Sequence, residues 1–304
     1  IDKLLTENNV ADLKKFHLNL GNLCNLKCLM CGPKLSSQLL AEVNTNQQLK
    51  GIYGKEHYDQ ETYNWPKQNN FVEWCKKYLP NAININFTGG EPFIHPDITA
   101  LLNYARPKVT WINVTTNGTR TKNFYVDMLS KYLDHIVFSL HFEYDWERIL
   151  ETIISVYNTS KNKMVLVHVM MLNHRLNDVT EACRRLSKAN IPYALRPIRW
   201  TEAHDIFEDL ERYSNEELDF LKTENHNPPA NTLIDGKIEC NVNDLLINKT
   251  NKFKGWSCTA GLESLMVNWD GDVHRATCRV GGSLGNIYKG TFKRPTENII
   301  CTRD

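Results

Sequence analysis

Apolar residues recur along this chain with two periods, and the two take turns. Short runs alternate apolar and polar with a period of two, as half-buried strands do. Phe16-His17-Leu18-Asn19-Leu20 is one such run, and Ala82-Ile83-Asn84-Ile85-Asn86-Phe87 is a clearer one. Val109 to Thr115, Ile136 to Leu140, Met164 to Met171 and Ile191 to Ile198, rich in β-branched and apolar residues, complete a set of six. Between them the helical period predicts helices over 67–79, 96–106, 121–132, 144–159 and 176–188. Pro96-Asp97 and Asn177-Asp178 supply start signals for two of these.

Strand and helix thus alternate six times over residues 14–198. That rhythm predicts an α/β fold with βα units and a parallel sheet. Six units make a partial (βα)6 TIM-like barrel, open rather than closed. By analogy with full barrels, function is expected at the C-terminal ends of the strands. Three loops lie there: Cys24 to Cys31, Thr88 to Pro92, and Thr116-Asn117-Gly118. Residues 32–66 are irregular and are expected to be an insertion with at most one helix. The rhythm stops after Ile198. The expected domains are a core over 14–200, a linker over 201–254 with a helix near 215–223, and a small C-terminal domain over 255–304. Asn/Pro-rich breaks mark 225–231. Asp270-Gly271, set between extended runs, predicts a β-hairpin in the last domain.

Composition narrows the classes. The 304 residues are 41% hydrophobic, enough for one large domain or a large and a small one. The 36 basic and 35 acidic side chains leave a net charge of +1, which argues against a broad grip on nucleic acid or an anionic membrane. No stretch approaches the roughly 20 apolar residues of a membrane span, and the N-terminus lacks the apolar run of a secretory signal. Position 1 is Ile, so the chain is expected to start inside a longer one. Nine cysteines cluster unevenly, which in a reducing, cytoplasmic setting points to metal ligands rather than disulfides.

Cys24-Asn-Leu-Lys-Cys28-Leu-Met-Cys31 places three thiols within eight residues. Thiolates are the usual ligands of iron–sulfur clusters, and three leave one iron open for a ligand. The bland alternative is a structural zinc site, but zinc usually recruits a fourth Cys or His, and the nearest His, His17, lies inside a strand. Thr88-Gly89-Gly90-Glu91-Pro92 follows the second strand. Its glycines admit close approach of a ligand, although alone the segment is a plain turn.

The two motifs, in this order and each after its expected strand, resemble the signature of the radical S-adenosylmethionine (SAM) superfamily. The resemblance covers residues 14–198 and implies the partial barrel of that family. It implies that Cys24, Cys28 and Cys31 hold a [4Fe–4S] cluster whose open iron is chelated by the methionyl amino and carboxylate groups of SAM. Gly89, Gly90 and Glu91 would then line the methionyl amino group. Asn117 and Ser139 resemble positions that contact the carboxylate and ribose, though Asn-Gly is equally a turn and Ser139 an ordinary strand residue. His168 and Arg196, on strands five and six, are either site residues or satisfied core polar groups. Met30 stands where the family commonly has an aromatic residue near adenine, and Met can pack there too.

The C-terminal segment resembles the start of a SPASM or shorter twitch extension, with a Cys before and a Cys after a hairpin. The resemblance implies an auxiliary iron–sulfur cluster held by Cys258, Cys278 and Cys301, with Cys240 as a further ligand. The spacing from Gly271 to Cys278 is longer than the family pattern, and the second Cys group of the long form is missing, which favours twitch. The bland alternative is a set of structural thiols. Cys75 and Cys183 fall in expected helices and are read as core.

The implied activity is reductive cleavage of SAM to a 5′-deoxyadenosyl radical, which abstracts hydrogen from a substrate C–H bond, fed by an external flavodoxin- or ferredoxin-like donor. The first expectation for the substrate is a peptide or protein, modified as ribosomally made peptides are; the Tyr- and Gln-rich residues 41–66 would wall its channel. The second is a small molecule, as in radical SAM dehydrogenases or sugar, amino-acid and cofactor biosynthesis. A metal-binding module without radical chemistry is the alternative from another class. The sequence assigns no catalytic acid, base or hydrogen donor.

Overall fold

The computed structural model describes residues 13–52, 76, 82–160, 164–198, 210–224, 232–234, 237–239, 242–250 and 252–302. The expected helix over 67–79, apart from residue 76, lies outside them, as do Cys75, Cys240 and the breaks at 225–231. Each of the six period-two segments forms a strand: β1 Lys15–Asn19, β2 Asn84–Thr88, β3 Trp111–Thr116, β4 His135–His141, β5 Met164–Met171 and β6 Tyr193–Pro197. In chain order the helices are α1 Ser37–Thr45, α2 Gln47–Ile52, α3 Ile98–Ala105, α4 Lys122–Lys131, α5 Trp146–Thr159, α6 Leu176–Lys188, α7 Asn215–Thr223 and α8 Val242–Ile247. A 3₁₀ turn covers Pro92–Ile94. The start signals are offset: α3 begins after Asp97, whose side chain makes no capping bond, and Asn177-Asp178 falls inside the first turn of α6.

Backbone contacts divide the chain into two units. One holds the residues up to Asn25, Asp59–Val114 and those from Lys252 onward; the other holds Leu26–Tyr58 and Thr115–Asn251. In the first, β1, β2 and β3 run parallel, with His17 opposite Asn86 and Asn86 opposite Asn113. Phe16, Leu18, Ile85, Phe87, Ile112 and Val114 are buried. The polar positions between them share the opposite face, as a period of two requires. There Nδ2 of Asn86 donates to Nδ1 of His17 at 3.1 Å.

The expected hairpin is present as β10 Ser264–Val267 against β11 Asp272–His274, antiparallel. Gly271 takes φ +82, and the Tyr288 ring lies where a Cβ would be, 2.4 Å from its nearest atom. Strand β10 also pairs parallel to the free edge of β1, from Lys15↔Ser264 to Leu18↔Val267, and β12 Ser283–Asn286 follows β11.

In the second unit β4, β5 and β6 are parallel, with Ser139 opposite His168 and Met170 opposite Arg196. Helix α5 buries Trp146, Ile149, Leu150, Ile153 and Val156, and α6 buries Val179, Ala182, Cys183 and Leu186, each an apolar stripe at helical spacing. Burial pushes the Cys183 thiol up to about 12, so this cysteine is core, as expected.

The insertion departs from expectation, with two helices instead of at most one. Asn46 is extended and ends α1, and its Oδ1 then accepts from Gln48 N at 2.9 Å to start α2. A single Asn serves both ends, which sequence periodicity does not reveal. Helix α7 occupies the expected 215–223 and carries a capping box between Ser214 and Glu217. The stretch around it also forms a small antiparallel pair, β7 Thr232–Ile234 with β8 Lys237–Glu239. The Tyr213 hydroxyl donates to Met171 O at 2.6 Å and accepts from Ile198 N at 2.9 Å, which ties the approach to α7 to the ends of β5 and β6.

Candidate active site

The loop after β1 carries Cys24, Cys28 and Cys31. Its stem is clasped by the loop after β2: Leu20 N donates to Thr88 O, Gly90 N to Gly21 O and Glu91 N to Leu23 O, all at 2.7–2.8 Å. No side chain fits between them, because a Cβ on Gly90 would stand 2.3 Å from Leu23 O. Glycine is therefore required at Gly90 by close approach of backbone to backbone. Glu91 is buried, and its Oε1 caps the 3₁₀ turn by accepting from Phe93 N at 3.0 Å. Gly89, Gly90 and Glu91 thus shape the stem that presents Cys24.

The far half of the loop is held by residues just past β4. Leu29 N donates to Oε1 of Glu143 at 2.9 Å, and Lys27 N donates to the Tyr144 hydroxyl, so the amides flanking Cys28 are both fixed. Cys31 N closes a turn onto Cys28 O at 2.9 Å. Cys24 and Cys28 are buried, Cys31 is half-buried, and none is in a disulfide. Burial pushes the Glu143 carboxyl up, but His141 and the Leu29 amide offset this and leave it below the usual range. His141 Nδ1 lies 3.7 Å from Oε2, an ion-pair distance rather than a hydrogen bond.

Met30, between Cys28 and Cys31, lines a cavity of about 320 Å³ with Ser139, His168, Met170, Arg196, Pro197, Asn243 and Leu246. Four residues singled out in the sequence, Met30, Ser139, His168 and Arg196, therefore meet at one cavity. The side chains of Ser139, His168 and Arg196 make no hydrogen bond or ion pair to any described residue. Satisfied core polar groups would have partners. Burial, then the nearby charges of Arg196 and His135, lower His168 to about 4, so its imidazole is neutral at pH 7. Burial also lowers Arg196 from its ordinary value.

Asn117 is not among the lining residues. Its Oδ1 accepts from Thr119 N at 3.2 Å and from Thr119 Oγ1 at 2.7 Å, a side-chain turn that shapes the loop after β3. Met170 was legible as the next inward position after His168. Asn243 and Leu246 carried no signal in the sequence, because they lie on a short helix in the expected linker. Asn243 Nδ2 donates to Leu195 O at 3.3 Å and Leu221 O at 3.2 Å, which seats α8 beside β6 and α7.

Near the C-terminus, β9 Ser257–Cys258 pairs with β13 Ile299–Ile300. Cys301 N donates to Trp256 O at 2.8 Å, which brings the Cys258 and Cys301 segments together. Arg275, three residues before Cys278, donates to Ala260 O at 2.9 Å and Glu297 O at 3.0 Å. One guanidinium thus ties three cysteine-bearing segments. Ala260 N also lies 3.5 Å from the Cys258 sulfur. Among the described residues, no group of three or more His, Cys, Asp or Glu side chains is arranged to hold a metal ion. A four-iron cube spaces its thiolates more widely than one ion does, and the first loop offers it three thiols, two of them buried and undisulfided. That donor set fits an iron–sulfur cluster.

Fold and site define a class: a partial α/β barrel with a three-thiol loop at the C-terminal end of its first strand and, beside that loop, a cavity lined by Met30, Ser139, His168 and Arg196. The family model "Radical SAM superfamily" matches residues 18–198, and the chain belongs to that superfamily. Membership supports an enzyme with radical chemistry. Over 115 residues the chain is 26% identical to the antilisterial bacteriocin subtilosin biosynthesis protein AlbA of Bacillus subtilis (strain 168), covering 38% of this chain and 20% of AlbA. Among solved structures it resembles Streptococcus suis SuiB bound to S-adenosylmethionine, with TM-score 0.57, 16% identity, and coverage of 91% of this chain and 64% of SuiB. It also resembles anSMEcpe with bound AdoMet, with TM-score 0.52, 14% identity, and coverage of 93% and 81%. These likenesses confirm the partial-barrel fold. The chain spans a fifth of AlbA and less than two thirds of SuiB. Among the described residues no helix is long and apolar enough to cross a membrane.

Proposed function

We propose that Cys24, Cys28 and Cys31 hold a [4Fe–4S] cluster, that SAM enters the cavity beside Met30, and that the reaction abstracts hydrogen from a carbon of a peptide or protein. The observation that carries this is the cavity itself: Met30 of the cysteine loop shares it with Ser139 and His168, whose side chains have no partner among the described residues. When bound, the reduced cluster and SAM together supply the 5′-deoxyadenosyl radical. The chain's own residues hold and shield. The Gly90–Gly21 and Glu91–Leu23 bonds set the stem, Glu143 and Tyr144 fix the amides beside Cys28, and Met30, Met170 and Leu246 give the cavity an apolar wall. Neutral His168 is free to accept or donate one hydrogen bond without bringing charge into the site.

Two likenesses support a peptide substrate: AlbA acts in the biosynthesis of a bacteriocin, and anSMEcpe has been solved with AdoMet and the Cp18Cys peptide. Seven described cysteines, none in a disulfide, fit a reducing, cytoplasmic setting, where a flavodoxin- or ferredoxin-like protein would deliver the electron. Cys258, Cys278 and Cys301, joined through Arg275, would hold an auxiliary cluster of the twitch kind, with Cys240 as a further ligand.

The test is anaerobic reconstitution followed by iron and sulfide assay and dithionite-dependent formation of 5′-deoxyadenosine. The expected result is deoxyadenosine from wild type and none from Cys28→Ala. A reduced, iron-replete wild type that makes none would overturn the enzyme and leave a metal-binding module. The double variant Cys258→Ala/Cys278→Ala should lose one cluster's worth of iron, and unchanged iron content would remove the auxiliary site.

A further inference from the structure

Arg196 is a half-buried cation at the end of β6. Its side chain opens into the 320 Å³ cavity, yet it makes no hydrogen bond or ion pair to any described residue. Elsewhere, arginines with less burial find partners: Arg184 grips Glu181 through two nitrogens, and Arg148 pairs with Asp145. Among the described residues that line the cavity, none is acidic. A half-buried guanidinium without a counter-charge is costly to the fold, so it persists where a ligand supplies the missing charge. The planar fork matches a carboxylate bidentately.

The surroundings indicate whose carboxylate this is. Cys24, Cys28, Cys31 and the Gly-Gly-Glu turn lie within residues 18–198, the part the whole superfamily shares. Asn243 and Leu246 lie outside it, on α8, and Asn243 bonds to the carbonyl of Leu195, the residue next to Arg196. The wall beside Arg196 is therefore built in part by residues outside the span that the superfamily model matches. Members of one superfamily share a cofactor and differ in substrate, so a wall outside the shared core faces substrate.

We propose that Arg196 anchors a carboxylate of the substrate, with the Ser139 hydroxyl and the His168 imidazole as neighbouring hydrogen-bond partners. This assigns Arg196 to the substrate, and it rests on the cavity being the active site. Substrates that fit carry an acidic side chain or a free C-terminal carboxylate near the carbon that reacts.

The experiment uses the reconstituted protein and three measurements. First, binding of SAM and of decarboxylated SAM is measured for wild type and Arg196→Met. Second, binding of N-acetyl-glutamate amide is compared with that of N-acetyl-glutamine amide. Third, thermal melting is recorded without ligand. The proposal expects Arg196→Met to bind SAM within about twofold of wild type. Wild type should prefer the acid probe over the amide by about tenfold or more, and the variant should lose that preference. Arg196→Met should also melt at a higher temperature than wild type, because Met fills the site without an unpaired charge; a merely structural arginine would show the reverse. If the variant loses SAM but not decarboxylated SAM, the carboxylate is the cofactor's and the proposal is wrong. A wild type that does not distinguish acid from amide overturns it as well. Uncoupled deoxyadenosine formation by wild type is a separate readout, so failure of the enzyme assignment is distinguishable from failure of the anchor.

Discussion

His17 and His168 both sit in walls where burial outweighs protonation, and each is held at about 4 instead of 6.5. Between those values the unfolded chain binds protons that the folded chain refuses. Their contribution to stability is complete above about pH 6.5 and is lost as pH falls through 4. Each is worth about 3 kcal/mol at most. The melting temperature should therefore drop between pH 7 and 4.5, and the double variant His17→Asn/His168→Asn should show a flatter profile over that range. Glu143 acts at the same scale by a different route. Its carboxylate holds the Leu29 amide between two of the thiols, so Glu143→Ala should retain less iron after gel filtration while Glu143→Gln, which keeps an acceptor oxygen, should retain nearly the wild-type amount. Ser139 stands out through the family resemblance, and His168 and Arg196 through their places on strands five and six. That they lack partners, which separates a site from a satisfied core, could be seen only in three dimensions.

Among elements, the loops after β1 and β2 behave as one. Three backbone hydrogen bonds join them, and Gly90 leaves no room for a methyl group. Gly90→Ala should cost about 1–3 kcal/mol through overpacking against Leu23, read by chemical denaturation, and should also lower iron content. Gly32→Ala, within the same cysteine loop, meets nothing within 4 Å and should be nearly neutral. The six strands, the helices expected over 96–106, 121–132, 144–159 and 176–188 and the one near 215–223 were legible because amphipathic periodicity reports one-sided burial directly, while 67–79 lies outside the described residues apart from residue 76. Two helices escaped that signal. Helix α2 follows α1 after a single Asn, so the polar stretch hid a boundary. Helix α8 is six residues long, less than two turns, too short for a period to emerge.

For the whole molecule, the C-terminal hairpin is structural support as well as a carrier of cysteines. Strand β10 covers the edge of β1, the strand that leads into the cysteine loop. An uncovered edge strand pairs with other chains. A chain ended before Ser264 should therefore aggregate or lose cooperative unfolding, a result that light scattering and melting curves would show. If it stays monomeric with unchanged iron, β10 is dispensable to the core.

The fold class and the cluster loop were determined by sequence alone. Period-two and period-3.6 burial is local, and three thiols within eight residues are neighbours whatever the rest of the chain does. The tertiary structure decided what depends on residues far apart in sequence. It placed β10 on β1, tied three cysteine segments through Arg275, and brought α8 beside Arg196. Such pairings are selected by the free energy of the whole packed chain, and no window of sequence contains both partners. The same distance hid the absence of a partner at Arg196, since an unpaired charge is a statement about everything that could have come near it.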